Sequence, residues 1–175
     1  MATKHKAKRV LDQATLSATV TRPANTTAYT ARDALSDATN DEMFVFDFTD
    51  KAIRGSLTGE IMGLRLLSSG NQATKPALDL FFFSQKPATT ADNAELEFSD
   101  AELANCTDII QISTSDYFQG TDTSGADGNI IAIKKNLNSL LKLGIGSIFC
   151  QAMVTNAYTP LSGEVFTLIL DVRYD

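Results

Sequence analysis

The feature that most constrains the fold is a strict two-residue alternation near the C-terminus. Over residues 164–174, Phe166, Leu168, Leu170, Val172 and Tyr174 fall on one side. Val165, Thr167, Ile169, Asp171 and Arg173 fall on the other. An extended chain sends successive side chains to opposite faces, so this period reads as a strand. The even face is wholly apolar or aromatic and is expected to be buried. The odd face turns polar toward its end and is expected to reach water or a partner. Residues 147–154 form a second predicted strand, joined to the last through a turn region at 156–163. The C-terminal segment is therefore expected to be built into a sheet.

The same period recurs upstream. Residues 11–21 set Leu16, Ala18 and Val20 against Thr15, Ser17, Thr19 and Thr21, a strand with one hydroxyl-rich face. Pro23 ends it, because proline lacks the donor that a ladder needs. Residues 26–40 read as a loop with at most a short strand around Tyr29. In residues 43–49, Phe44, Phe46 and Phe48 share a predicted core face. Residues 60–68 are a further strand, closed by the turn chemistry of Ser69-Gly70-Asn71-Gln72. Residues 78–84 are apolar at nearly every position. Leu78, Leu80 and Phe82 face one way and Phe81 and Phe83 the other, which predicts a central strand or one against a subunit contact. Residues 87–93 read as a loop.

Ser99 and Glu102 form a capping-box pattern that opens a short helix to about Asn105. Strands are predicted at 108–114 and 129–135, separated by a long loop at 117–129. Residues 137–143 fit a helix turn or an irregular strand equally well. Seven or eight strands and one short helix predict a mainly β fold, an antiparallel β-sandwich or jelly-roll-like barrel. Without βαβ alternation, a parallel nucleotide-binding sheet is not expected.

Charge divides the chain. Lys4, Lys6, Lys8 and Arg9 place +4 in the first nine residues, with no acid among them. That leaves 11 basic against 21 acidic residues in the remainder, a balance of −10. We read residues 1–10 as an extended basic arm and 11–175 as a single β-domain. The arm suits an acidic protein surface, nucleic acid, the acidic body of a neighbouring copy, or simple solvation as a tail. No apolar run has the length of a membrane helix, and no secretory signal is visible. Cys106 and Cys150 sit in strand-like surroundings, where buried free thiols are expected.

Catalytic chemistry finds little support. The single histidine, His5, lies in the arm, away from any packing that could fix it for nucleophilic catalysis. His5, Cys106 and Cys150 do not cluster as zinc ligands do. In Asp122–Asn129, Asp122 and Ser124 fit the alternation of a calcium loop, but Ala126 breaks it and no Glu follows. A Gly/Asp turn is the simpler reading. No cofactor and no enzymatic activity are expected.

Four segments carry a resemblance. They are Thr19-Val20-Thr21-Arg22-Pro23-Ala24-Asn25-Thr26-Thr27-Ala28-Tyr29; Leu80-Phe81-Phe82-Phe83 with Pro87, Ala91-Asp92-Asn93-Ala94 and Ser99-Asp100-Ala101; Ala157-Tyr158-Thr159-Pro160; and Glu164-Val165-Phe166-Thr167. As a set they resemble structural proteins of tailed-bacteriophage virions, over about residues 11–175. The resemblance implies a non-enzymatic decoration or cement protein on the outer head shell. It would be made in the bacterial cytoplasm, commonly as a trimer, and would bind the major capsid protein and copies of itself, with no direct nucleic-acid role and no membrane. On that reading the partner-binding residues are Lys4, Lys6, Lys8 and Arg9 of the arm, with Phe81 and Phe83 and the hydroxyl-rich face as candidate subunit contacts. Two other readings are a tail, neck or baseplate position, and a glycan-binding β-sandwich using Asp116, Tyr117 and Phe118.

Overall fold

The computed structural model describes residues 12–47, 58–119, 130–142 and 147–174. The described chain forms β1 (Asp12–Thr21), β2 (Ala34–Leu35), β3 (Phe44–Asp47), β4 (Thr58–Ser68) and β5 (Leu78–Phe83). A short helix α1 (Asp100–Leu103) follows, then β6 (Cys106–Ile112), a 3-10 turn (Thr114–Asp116) and β7 (Tyr117–Gln119). The last strands are β8 (Ile130–Lys142), β9 (Ser147–Val154) and β10 (Val165–Tyr174). Two antiparallel sheets result, ordered β1-β10-β4-β8-β7 and β2-β9-β5-β6, with β3 also on β9.

The winding follows from four nested antiparallel pairs: β1 with β10, β2 and β3 with β9, β4 with β8, and β5 with β6. One long hairpin folded in this way then closes on itself where β4 docks on β10 and β5 on β9. That is the jelly-roll form of the β-sandwich.

The predicted faces are the observed ones where the structure describes them. Leu16, Ala18, Val20, Phe44, Phe46, Leu78, Leu80, Phe82, Phe166, Leu168, Leu170 and Val172 all enter the shared core. Each large apolar side chain enclosed there contributes roughly 1.5–3 kcal/mol. Phe48 lies outside the described residues, as do Asp122–Asn129 and the arm.

Several expectations are refined. Tyr117–Gln119 is not the start of the loop but a short strand on β8. Three residues with one half-buried aromatic carry too little pattern to show it. Residues 137–142 continue β8 as an irregular strand. Asn136 and Asn138 take positive φ there, which asparagine tolerates better than most residues, and the pairing with β4 shifts register at that point. The predicted loop at 26–40 carries an isolated bridge from Tyr29 to Tyr158 and also β2. Cys150 is buried and Cys106 half-buried, both as free thiols.

β5 lies between β9 and β6, as a central strand, and its outer side is covered by the chain itself. The β5–β6 connection runs back across the second sheet as a roof. Ala34 donates to Ala94 at 2.8 Å, Asn93 to Ala34 at 2.9 Å and Leu96 to Arg32 at 2.8 Å. Buried Gln151 donates its side-chain amide to the Ala88 carbonyl at 3.1 Å. The Phe98 ring sits 5.0 Å from Phe81 and 5.1 Å from Phe83. The capping box is formed, with Ser99 Oγ accepting from Glu102 N and the Glu102 carboxylate accepting from Ser99 N at 2.8 Å. The same carboxylate accepts from Ala88 N at 2.7 Å, so α1 fastens the roof as well as its own first turn. Phe98→Ala is expected to lower unfolding free energy by about 2 kcal/mol, since Phe98 is only partly buried. It should also raise binding of an apolar dye by uncovering Phe81 and Phe83. Unchanged dye binding would show that the roof holds without it.

Candidate functional site

Two features stand out: a buried polar cluster at one end of the sandwich, and the unequal outer faces of its sheets.

The cluster begins where β1 stops. Pro23 prevents the ladder from continuing, and Arg22 turns inward with its side chain fully enclosed. Its Nη2 donates to Asp92 Oδ2 at 2.8 Å, its Nη1 to the Leu161 carbonyl at 3.4 Å and its Nε to the Tyr29 hydroxyl. Asp92 keeps only 3% of its side-chain surface. It also accepts from the Tyr29 hydroxyl at 2.5 Å and from Ser36 N at 3.2 Å. Burial works against the charge on Arg22, but Tyr29 and Asp92 outweigh it and hold its pKa above the ordinary arginine value. The roof is thereby tied to the end of β1.

Glu164 makes the second half. It is 1% exposed and stands just before β10. Its carboxylate accepts from the Tyr158 hydroxyl at 2.5–2.6 Å, from Leu161 N at 3.0 Å, from Gln72 Nε2 at 3.1 Å and from the Ser68 hydroxyl. Gly70 is required by this packing. A Cβ there would lie 2.6 Å from Glu164 Oε1 and 2.5 Å from Gln72 Oε1. The Tyr29 and Tyr158 rings stack at 6.2 Å with 12° between planes and join the two halves. Burial, reinforced by the neighbouring carboxylates, raises the pKa of both phenols. They stay protonated, as donors. With donors fixed as donors and both carboxylates engaged, the cluster offers neither a base nor a nucleophile. It is a clasp that ties together the β1–β2, β4–β5, β5–α1 and β9–β10 connections.

The sheets present different surfaces. The roof leaves a groove on the second sheet, lined by Arg32, Phe81, Leu96, Phe98, Leu103 and Met153 with Glu97 at its edge. On the first sheet, register places Thr19, Thr167, Leu67, Ile131 and Phe118 in one row across its outer face. Ser17, Ile169, Arg65 and Ile133 form the next. Phe118 is 61% exposed, and Leu67, Ile131, Ile133 and Ile169 are half-buried. The hydroxyls of β1 lie along one side of this face, and an Arg65–Asp171 pair at 3.0 Å crosses it.

Among the residues singled out from sequence, Lys4, Lys6, Lys8 and Arg9 lie outside the described residues. Phe81 lines the groove, half-buried. Phe83 is fully covered by the chain's own packing and keeps no surface for a partner. Asp116, Tyr117 and Phe118 do not form an open aromatic and acidic platform. Asp116 is engaged by Lys134 at 2.5 Å, and the Tyr117 hydroxyl is buried. Among the described residues, no three His, Cys, Asp or Glu side chains are grouped to hold a metal ion. In the sequence, Arg22, Asp92, Tyr158 and Glu164 stand inside the segments of the resemblance, with no pattern that marks them as a cluster. The available signal was an isolated charge beside a turn proline or at a strand boundary, next to tyrosines.

No protein-family profile matches the chain, and no curated protein does. Among solved structures, the chain is similar to one from the cyanophage Pam1 capsid asymmetric unit. The identity is 12%, covering 99% of this chain and 96% of that one, at a TM-score of 0.39. It is also similar to a chain of desmodium yellow mottle tymovirus at 12% identity, covering 99% and 93% respectively, at a TM-score of 0.31.

Proposed function

We propose that this chain is a non-enzymatic virion structural protein of a tailed bacteriophage that decorates the outer head shell and stabilises it. The observation that carries the reading is the difference between the two outer faces. The second sheet is roofed by its own chain except at the groove, whereas the first presents an apolar row ending in exposed Phe118 and bordered on its other side by the hydroxyls of β1. An exposed apolar patch beside polar residues suits a protein contact. The segments that resemble virion proteins contain Arg22, Tyr29, Asp92, Tyr158 and Glu164 of the clasp. A jelly roll by itself does not specify function, since the fold also serves lectins and cupins. Its partners on this reading are the major capsid protein, through the first sheet, and copies of itself.

The test is co-sedimentation of the purified full-length protein with empty head shells. Wild type is expected to pellet with shells, and Phe118→Lys with Ile131→Lys to weaken binding by about thirtyfold, as loss of a contact centre does. Failure to pellet, or binding indifferent to these substitutions, overturns the reading. Pelleting with tails and not with heads would move the protein to the tail.

A further inference from the structure

We propose that the groove on the second sheet receives the basic N-terminal segment, residues 1–11, of a second copy. Its floor is apolar, built from Phe81, Leu96, Phe98 and Met153, and Leu103 beside them is 45% exposed. Glu97 lies in the lining, and exposed Glu95 and Asp100 stand beside it in the sequence of the roof. Arg32, the basic residue in the lining, is already paired with Glu95 at 3.1 Å. With Arg32 and Glu95 cancelling, Glu97 leaves the groove net negative by one over an apolar floor.

The segment is its complement. Lys4, Lys6, Lys8 and Arg9 bring four positive charges with no acid, and Val10 and Leu11 add apolar bulk. The rest of the chain carries −10, so two bodies repel, and this segment supplies attraction of the opposite sign. The contact is electrostatic at an exposed border, so it is salt-sensitive, with screening over about 8 Å at physiological ionic strength.

This inference deepens the assembly reading and fails independently of it, because self-association is measured without shells. The experiment is sedimentation of the full-length protein and two charge-reversed variants at low salt. The first variant carries Lys4→Glu, Lys6→Glu, Lys8→Glu and Arg9→Glu. The second carries Glu95→Lys, Glu97→Lys and Asp100→Lys, all at exposed positions, where loss of the Arg32 pair costs little. Wild type is expected to associate, each variant alone to be monomeric, and an equimolar mixture of the two to associate again. In the mixture, the acidic segment of one variant meets the basic groove of the other. Thermal unfolding of each variant confirms that it is folded. A monomeric wild type, association of either variant alone, or a mixture that stays monomeric overturns the proposal. Shell binding by a protein that fails this test would leave the decoration reading standing.

Discussion

Asp92→Ala is expected to destabilise the fold by about 3–5 kcal/mol, the range for removing one partner of a buried ion pair. The size comes from what remains behind. Arg22 keeps its charge in a site with no exposed side-chain surface, and the Tyr29 hydroxyl and Ser36 N lose an acceptor. The Arg22 bonds to Tyr29 and the Leu161 carbonyl do not neutralise it. Urea unfolding measures the effect, as a lowered midpoint at unchanged slope. The double variant Arg22→Met with Asp92→Leu should recover part of the loss, because a buried pair replaced by apolar groups of similar size is often close to neutral. A loss below about 1 kcal/mol in Asp92→Ala would mean that water reaches Arg22 and that the clasp is not closed.

Glu164→Ala is the second large effect, expected at about 3 kcal/mol or more. Each buried donor left without an acceptor costs roughly 1–3 kcal/mol. Four donors converge on this carboxylate: the Tyr158 and Ser68 hydroxyls, Gln72 Nε2 and Leu161 N. The total falls short of the simple sum, because Gln72 and Leu161 are nearer the surface and can take water. Glu164→Gln keeps the shape but points an amide NH2 at donors, so it should fall between wild type and alanine. Equilibrium unfolding again decides it, and near-wild-type stability for Glu164→Ala would exclude a supporting role for this carboxylate. The two losses should not add, since Tyr29 and Tyr158 stack between the two halves.

Legibility in the sequence tracked the range of the interaction. The capping box of Ser99 and Glu102 spans three residues and was readable outright. So was the break at Pro23, a property of one residue. Tyr117–Gln119 was not, because a short edge strand is specified by its neighbour β8 more than by its own pattern. The clasp was further out of reach. Arg22 and Asp92 are 70 residues apart, and Ser68 and Glu164 are 96 apart. No local period links such positions, and each looks like an ordinary surface polar residue until the connections converge.

What the sequence by itself determined is which side of each strand is apolar. Side-chain direction in an extended chain alternates with the backbone, so the pattern at Phe166, Leu168, Leu170 and Val172 names a buried face wherever the strand sits. Only the tertiary structure decided where the strands go. β9 and β10 follow one another in sequence through the connection at 155–164, yet they lie in different sheets, each paired with strands far along the chain. It also decided that Phe83 is fully covered and Phe81 partly covered by Phe98 and the roof, while the row ending in Phe118 stays open. Both sets of residues are apolar, and composition treats them alike. Their difference depends on the path of the β5–β6 connection, which the buried polar bonds of Asp92 and Gln151 hold in place.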